Sequence, residues 1–147
     1  MIIKNYEISK INFNLNKLIL FYGKNEGHKN ENLKLITKDK KNISIFEEKE
    51  ILENKNSLIE DILSRSFFDN EKIIIIKRVT DKIINVIEEL KEKNIDDVII
   101  ILNSENLEKK SKLRSLFEKD KNLICMAYYP DNEQTLFSIT NNFFKKK

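Results

Sequence analysis

The stretch Ile62–Val79 reads ILSRSFFDNEKIIIIKRV, and its second half decides the fold. Ile73, Ile74, Ile75 and Ile76 form an unbroken β-branched run. A strand with this run is apolar on both faces, which suits a central strand of a parallel sheet covered by helices on either side. A buried helix could be equally apolar, but the shortness of the run and its branched side chains favour a strand. Lys77 and Arg78 follow directly, at the carboxyl end where open α/β sheets carry their sites. Upstream, Phe67 and Phe68 lie between Arg65 and Asp69 in an otherwise polar passage.

Working outward, the same pattern recurs. Leu18–Tyr22, Ile43–Phe46, Val98–Leu102 and Leu123–Met126 read as further strands. Between them lie helical patterns. The first, near Gly27–Lys38, turns Leu33 and Ile36 inward. A second starts at Ser57, where Glu60 completes a capping box, with Leu58, Ile59, Ile62 and Leu63 on one face. A third is capped by Thr80 or Asp81 and buries Ile83, Ile84, Ile87 and Leu90. A fourth, Leu107–Lys119, buries Leu113, Leu116 and Phe117. Met1–Lys17 reads as an extended lead-in. Crossovers of this length enforce parallel pairing with right-handed connections. The expected architecture is α/β: a three-layer α/β/α sandwich around a five-stranded parallel sheet.

Composition bounds what such a chain can do. At 147 residues it holds one domain with a real core. A net charge of +3 is too small to name a nucleic-acid partner. No apolar run reaches the ~18 residues of a membrane helix, and no signal peptide is visible. Cys125 is the single cysteine and sits in an apolar strand, as a core residue of a cytoplasmic protein would. His28 is the single histidine, so a transition-metal site is not expected. The tail Asp131–Lys147 carries Leu136, Phe137, Ile139, Phe143 and Phe144. It either leads toward a further domain or folds back on the sheet.

Gly23–Asn30 reads GKNEGHKN between a strand and a helix, the context of a phosphate loop. Gly23 and Lys29 are in place, but His28 stands where the second glycine belongs and Asn30 where the hydroxyl belongs. The glycine lets main-chain N–H groups approach phosphates, and the hydroxyl holds Mg²⁺. Glu26 adds a negative charge where phosphates would lie. After Ile73–Ile76 the chain offers Lys77 and Arg78 rather than the acidic residue a hydrolase needs there. The segment therefore reads as a degenerate phosphate loop kept for its turn, with no cofactor and no catalysis expected. Asn103, at the end of Val98–Leu102, reads as a capping or turn residue.

Phe67 and Phe68 point to opposite sides if extended and about 100° apart if helical, so one core layer cannot readily take both. In one reading, one ring packs under the sheet and the other is half exposed. In the other, the pair is an exposed anchor that docks into a partner's pocket.

Taken in order, LILFYG with its ruined phosphate loop, LSRSFFDNEKIIIIKRV, VIIILNSENLEKKSKL and YYPDNEQTL resemble the amino-terminal domain of the delta subunit of the bacterial DNA polymerase III clamp loader. The resemblance spans most of Leu18–Leu136 and rests on the order and spacing of these motifs. It implies an AAA+-like core without ATPase activity that grips the sliding clamp and helps open it for loading on primed DNA. In the family a hydrophobic-Phe pair enters the clamp's peptide pocket. By position the clamp-binding residues are Ser66, Phe67 and Phe68, supported by Leu63 and Ser64; the first of the pair is Phe here rather than the commoner Leu. The resemblance divides the chain into a clamp-binding domain, 1–130, and a helical connection, 131–147, toward a lid domain absent from this chain. Other loader subunits would be met through missing domains, DNA only indirectly or weakly, and no membrane is involved.

Two rival expectations remain. One is a divergent phosphate-loop NTPase or nucleotide-binding protein using Lys29. The other is a basic module that binds DNA through Lys77, Arg78, Lys109, Lys110, Lys112 and Arg114.

Overall fold

A computed structural model describes residues 1–40, 42–65, 72–93 and 98–130. Five strands carry the fold: β1 Leu18–Tyr22, β2 Ile43–Glu47, β3 Lys72–Lys77, β4 Val98–Ser104 and β5 Leu123–Ala127. They form one sheet in the order β2-β3-β4-β1-β5, and every pairing is parallel. The helices are α1 Glu26–Thr37, α2 Glu48–Glu53, α3 Lys55–Arg65, α4 Ile84–Glu92 and α5 Lys112–Lys119.

The isoleucine run shows why the sheet lies at the centre. Ile74 and Ile76 face one core cluster, Ile73 and Ile75 the other, and all four are buried. Burying each contributes about 1.5–3 kcal/mol, so β3 is an apolar ridge that no exposed arrangement could match. β1, β4 and β5 divide their side chains in the same alternating way. One face is covered by Ile51 of α2, Leu58 of α3, Val86, Ile87 and Leu90 of α4, and Leu113 and Phe117 of α5. The opposite face is covered by Leu33 and Ile36 of α1 and by Ile3, Ile8, Ile11 and Phe13 ahead of β1.

Four local expectations are corrected. Asn5–Lys10 of the lead-in is a 3₁₀ turn, not extended chain. Before that turn, Ile2 bridges Cys125 in parallel, so the first residues cover the free edge of β5. Ser57 lies inside α3, which starts at Lys55, so it forms no capping box; a separate short helix, α2, precedes it. Asn103 belongs to β4, and its carbonyl accepts the Val79 N–H at 3.1 Å. α5 begins at Lys112, because Ser111 caps it by accepting the Arg114 N–H at 3.2 Å. No helix among the described residues is long and apolar enough to cross a membrane. Residues 131–147, and with them the expected helical connection, lie outside the described residues.

Candidate functional site

The turn after β1 is shaped by one glycine. Gly23 has φ +122°, and a Cβ there would stand 2.0 Å from the Tyr128 carbonyl oxygen. The main chain after β5 runs directly against it: Tyr128 N–H donates to Tyr22 O at 2.8 Å, and Asn25 N–H to Tyr128 O at 3.3 Å. Only glycine combines that conformation with that approach. Gly27 meets no such constraint. Asn25 caps α1, its side chain accepting the His28 N–H at 3.1 Å and donating to Tyr129 O at 3.0 Å.

The lysine of the loop points into the protein. The Lys29 side chain is fully buried, and its ammonium donates to Ser104 O at 2.7 Å and to Glu26 Oε1 at 3.0 Å. Glu26, read from the sequence as a charge opposing phosphate, is the lysine's own counter-ion. A buried ammonium needs such partners, because losing water without replacement costs several kcal/mol. The His28 ring packs edge-on against Tyr128 at 5.2 Å, and the Tyr128 hydroxyl accepts from Asn32 Nδ2 at 2.6 Å. Burial pushes the Tyr128 phenol up. Asn30 is exposed.

The carboxyl ends of β3 and β4 frame an open cleft of about 840 Å³, lined among others by Arg78, Lys82, Leu107, Lys110, Ser111 and Lys112. The fold thus brings together part of the basic set: Arg78 from one strand end, Lys110 and Lys112 from the start of α5. Arg114 does not join them. Its guanidinium lies 4.9 Å from the Tyr22 ring centroid and bonds Leu107 O and Glu118 Oε1. Arg78 has φ +56°, a left-handed conformation unusual for a side chain of this size, and pairs with Glu47 at 3.0 Å.

Two carboxylates brace this edge: no sequence signal pointed to Glu48, and Asp81, read as a candidate cap of the helix that follows it, is bonded instead to the start of α5, while Thr80 caps its own helix by accepting the Lys82 N–H. Glu48, at the start of α2, is buried and accepts from the Thr80 N–H at 2.5 Å and the Thr80 hydroxyl at 2.7 Å. Asp81 accepts from the Ser111 hydroxyl at 2.6 Å and from the Leu113 and Lys112 N–H groups. It therefore fills the amino terminus of α5. The Ser111 hydroxyl, then those two N–H groups, hold the Asp81 carboxyl below the usual carboxylate range.

Leu63 belongs to α3, whereas Ser66, Phe67 and Phe68 lie outside the described residues. α3 ends at Arg65 and β3 begins at Lys72. The loop Gly23–Asn30 starts at the carboxyl end of β1.

This arrangement defines a three-layer α/β/α domain in which the lysine of the loop after β1, Lys29, is committed to the chain itself. Among solved structures the chain is similar to the Bacillus subtilis DNA clamp loader delta protein (YqeN), with TM-score 0.65 and 17% identity over 97% of this chain and 48% of that one. It is also similar to Saccharomyces cerevisiae RIF2, with TM-score 0.53 and 16% identity over 86% of this chain and 53% of that one. The chain spans about half the length of each, and at these identities the likeness speaks for the fold. No protein-family model and no curated protein matches the sequence.

Proposed function

We propose that this chain acts as the clamp-binding domain of a clamp-loader delta-type subunit, gripping the sliding clamp without catalysing a reaction. The observation that carries this reading is the Lys29 ammonium, enclosed and bonded to Ser104 O and Glu26. A lysine used in that way is not presented to nucleotide phosphates, which leaves protein contact as the work of the domain. The likeness to the Bacillus subtilis clamp loader delta protein supports the same reading. Phe67 and Phe68, with Leu63 and Ser66 beside them, are the proposed anchor in the clamp's pocket. Binding two such rings is worth ~3–6 kcal/mol, enough to hold a protein partner.

The test is retention of the purified sliding clamp of the same organism on immobilised chain, beside calorimetry with ATP and Mg²⁺. The reading expects clamp retention and no heat of nucleotide binding. Absence of clamp binding by the folded chain would sink it. Micromolar ATP binding lost in Lys29→Ala would replace it with a nucleotide-binding function.

A further inference from the structure

The loop after β1 is engaged by the chain itself through its main chain as well as through Lys29. The Asn25 N–H donates to Tyr128 O at 3.3 Å, the Glu26 N–H to Lys24 O at 2.9 Å and the Lys29 N–H to Asn25 O at 3.1 Å. The His28 N–H donates to Asn25 Oδ1 at 3.1 Å. A phosphate loop keeps such N–H groups for its ligand. Here α1 already starts at Glu26, so residues 26–28 are wound into helix rather than open around an anion. Asn25 is the hub. Its main-chain N–H and its side-chain amide hold two successive carbonyls, Tyr128 O and Tyr129 O, while its two oxygens cap α1.

The segment held in this way is a strap across the loop. The Tyr128 N–H donates to Tyr22 O at 2.8 Å, its hydroxyl accepts from Asn32 at 2.6 Å, and its ring is fully buried. His28, which stands where a phosphate loop has its second glycine, lays its ring edge-on against Tyr128. Gly23 permits the close approach, since a Cβ there would meet Tyr128 O. Lifting the strap exposes an aromatic core residue and breaks its bonds to Tyr22, Asn25 and Asn32, so an anion cannot readily displace it.

Resting on the reading of Gly23–Asn30 as a degenerate phosphate loop, we propose that Tyr128 and Tyr129 are the built-in ligand of this loop. Asn25, through its hold on them, is the residue that determines that the loop takes no phosphate. The side chains at 28 and 30 are then not what excludes it; restoring a phosphate-loop sequence there leaves the donors engaged.

The experiment is calorimetry with ATP and Mg²⁺ on the whole chain carrying His28→Gly and Asn30→Thr, which rewrite the loop as G-x-x-x-x-G-K-T. The expected result is a folded variant with no heat of binding, because Asn25 still holds the strap and Lys29 still bonds Ser104 O. Micromolar ATP binding by this variant alone, abolished by adding Lys29→Ala, overturns the proposal. Binding by the unaltered chain as well would remove the reading beneath it, so the two failures are distinct. Asn25→Asp is the second variant. Asp caps helices as well as Asn does, but its carboxylate cannot donate to Tyr129 O. A melting temperature lowered by ~3 °C or more and faster hydrogen exchange of the Tyr128 N–H are expected. An Asn25→Asp chain as stable as the parent overturns the proposal, since Asn25 would then be a plain helix cap.

Discussion

The Lys29 ammonium donates to the main-chain oxygen of Ser104 at 2.7 Å, across 75 residues of sequence. This bond ties the first turn of α1 to the end of β4, and the Glu26 carboxylate closes it from the solvent side. An ammonium held in this way is part of the packing. Replacing Lys29 by Met removes the donor and leaves the Ser104 carbonyl without it, while Glu26, more than half exposed, returns to water. The expected cost is about 1–3 kcal/mol, and at this chain length each kcal/mol lowers the melting temperature by roughly 2–4 °C. An unchanged melting temperature without nucleotide would show that the lysine is free for another task.

Gly23→Ala should be far more damaging. The new Cβ meets the Tyr128 carbonyl and must also adopt φ +122°. Separating β1 from the chain after β5 is the only relief, so a loss above ~3 kcal/mol or a failure to fold is expected. Gly27→Ala, at the second residue of α1, is the matched control and should be tolerated. Denaturant titration of the two variants decides the matter.

Acid should weaken the brace between the β3–α4 connection and α5. Asp81 is held low by the Ser111 hydroxyl and two main-chain N–H groups, and Asp120 by its hydrogen bond with Lys91. A carboxyl depressed in the folded state contributes stability that is present above its unfolded pKa, near ~4, and is lost as pH falls through the lower folded value. Asp81 is exposed, so Asp81→Ala should cost no more than ~1 kcal/mol at neutral pH. The deficit should shrink below pH ~4, where the parent also loses the charge. Thermal melts of both proteins across that range test it; a deficit of constant size would mean the carboxylate charge plays no part.

Cys125 should resist thiol reagents in the native protein. It is 1% exposed, and burial pushes its thiol up to about 12. The thiolate is the reacting species, so labelling at neutral pH should follow unfolding rather than simple collision. Rapid modification of the folded chain would contradict the packing of β5.

Phe67→Ala with Phe68→Ala should lower clamp affinity by ~10²–10⁴-fold and leave the melting temperature within a degree or two. A large loss of stability in that double variant would place the pair in a core, and the proposed anchor would have to be abandoned.

The five strands were legible because each announces itself locally. An apolar run such as VIIIL or IIII can be buried on both faces only inside a sheet, and 3.6-residue periodicities between such runs oblige parallel crossovers. Helix starts were less legible. Ser57 and Glu60 have the spacing of a capping box, yet α3 begins earlier, because the Glu48–Glu53 turn leads into it after Asn54. That His28 and Asn30 stand where a phosphate loop carries glycine and a hydroxyl was equally plain in the sequence.

What the sequence determined on its own, then, was the layered α/β architecture, since it follows from neighbours within a few residues. The tertiary structure alone decided where Lys29 points, that Glu48 holds Thr80, that Asp81 caps α5, and that the first residues cover the β5 edge of the sheet. Each of these joins groups 30 or more residues apart in the chain, as with Ser111 and Asp81. No local pattern encodes such pairs; they arise when parallel strands bring distant loops to a common edge and buried polar groups must find partners there.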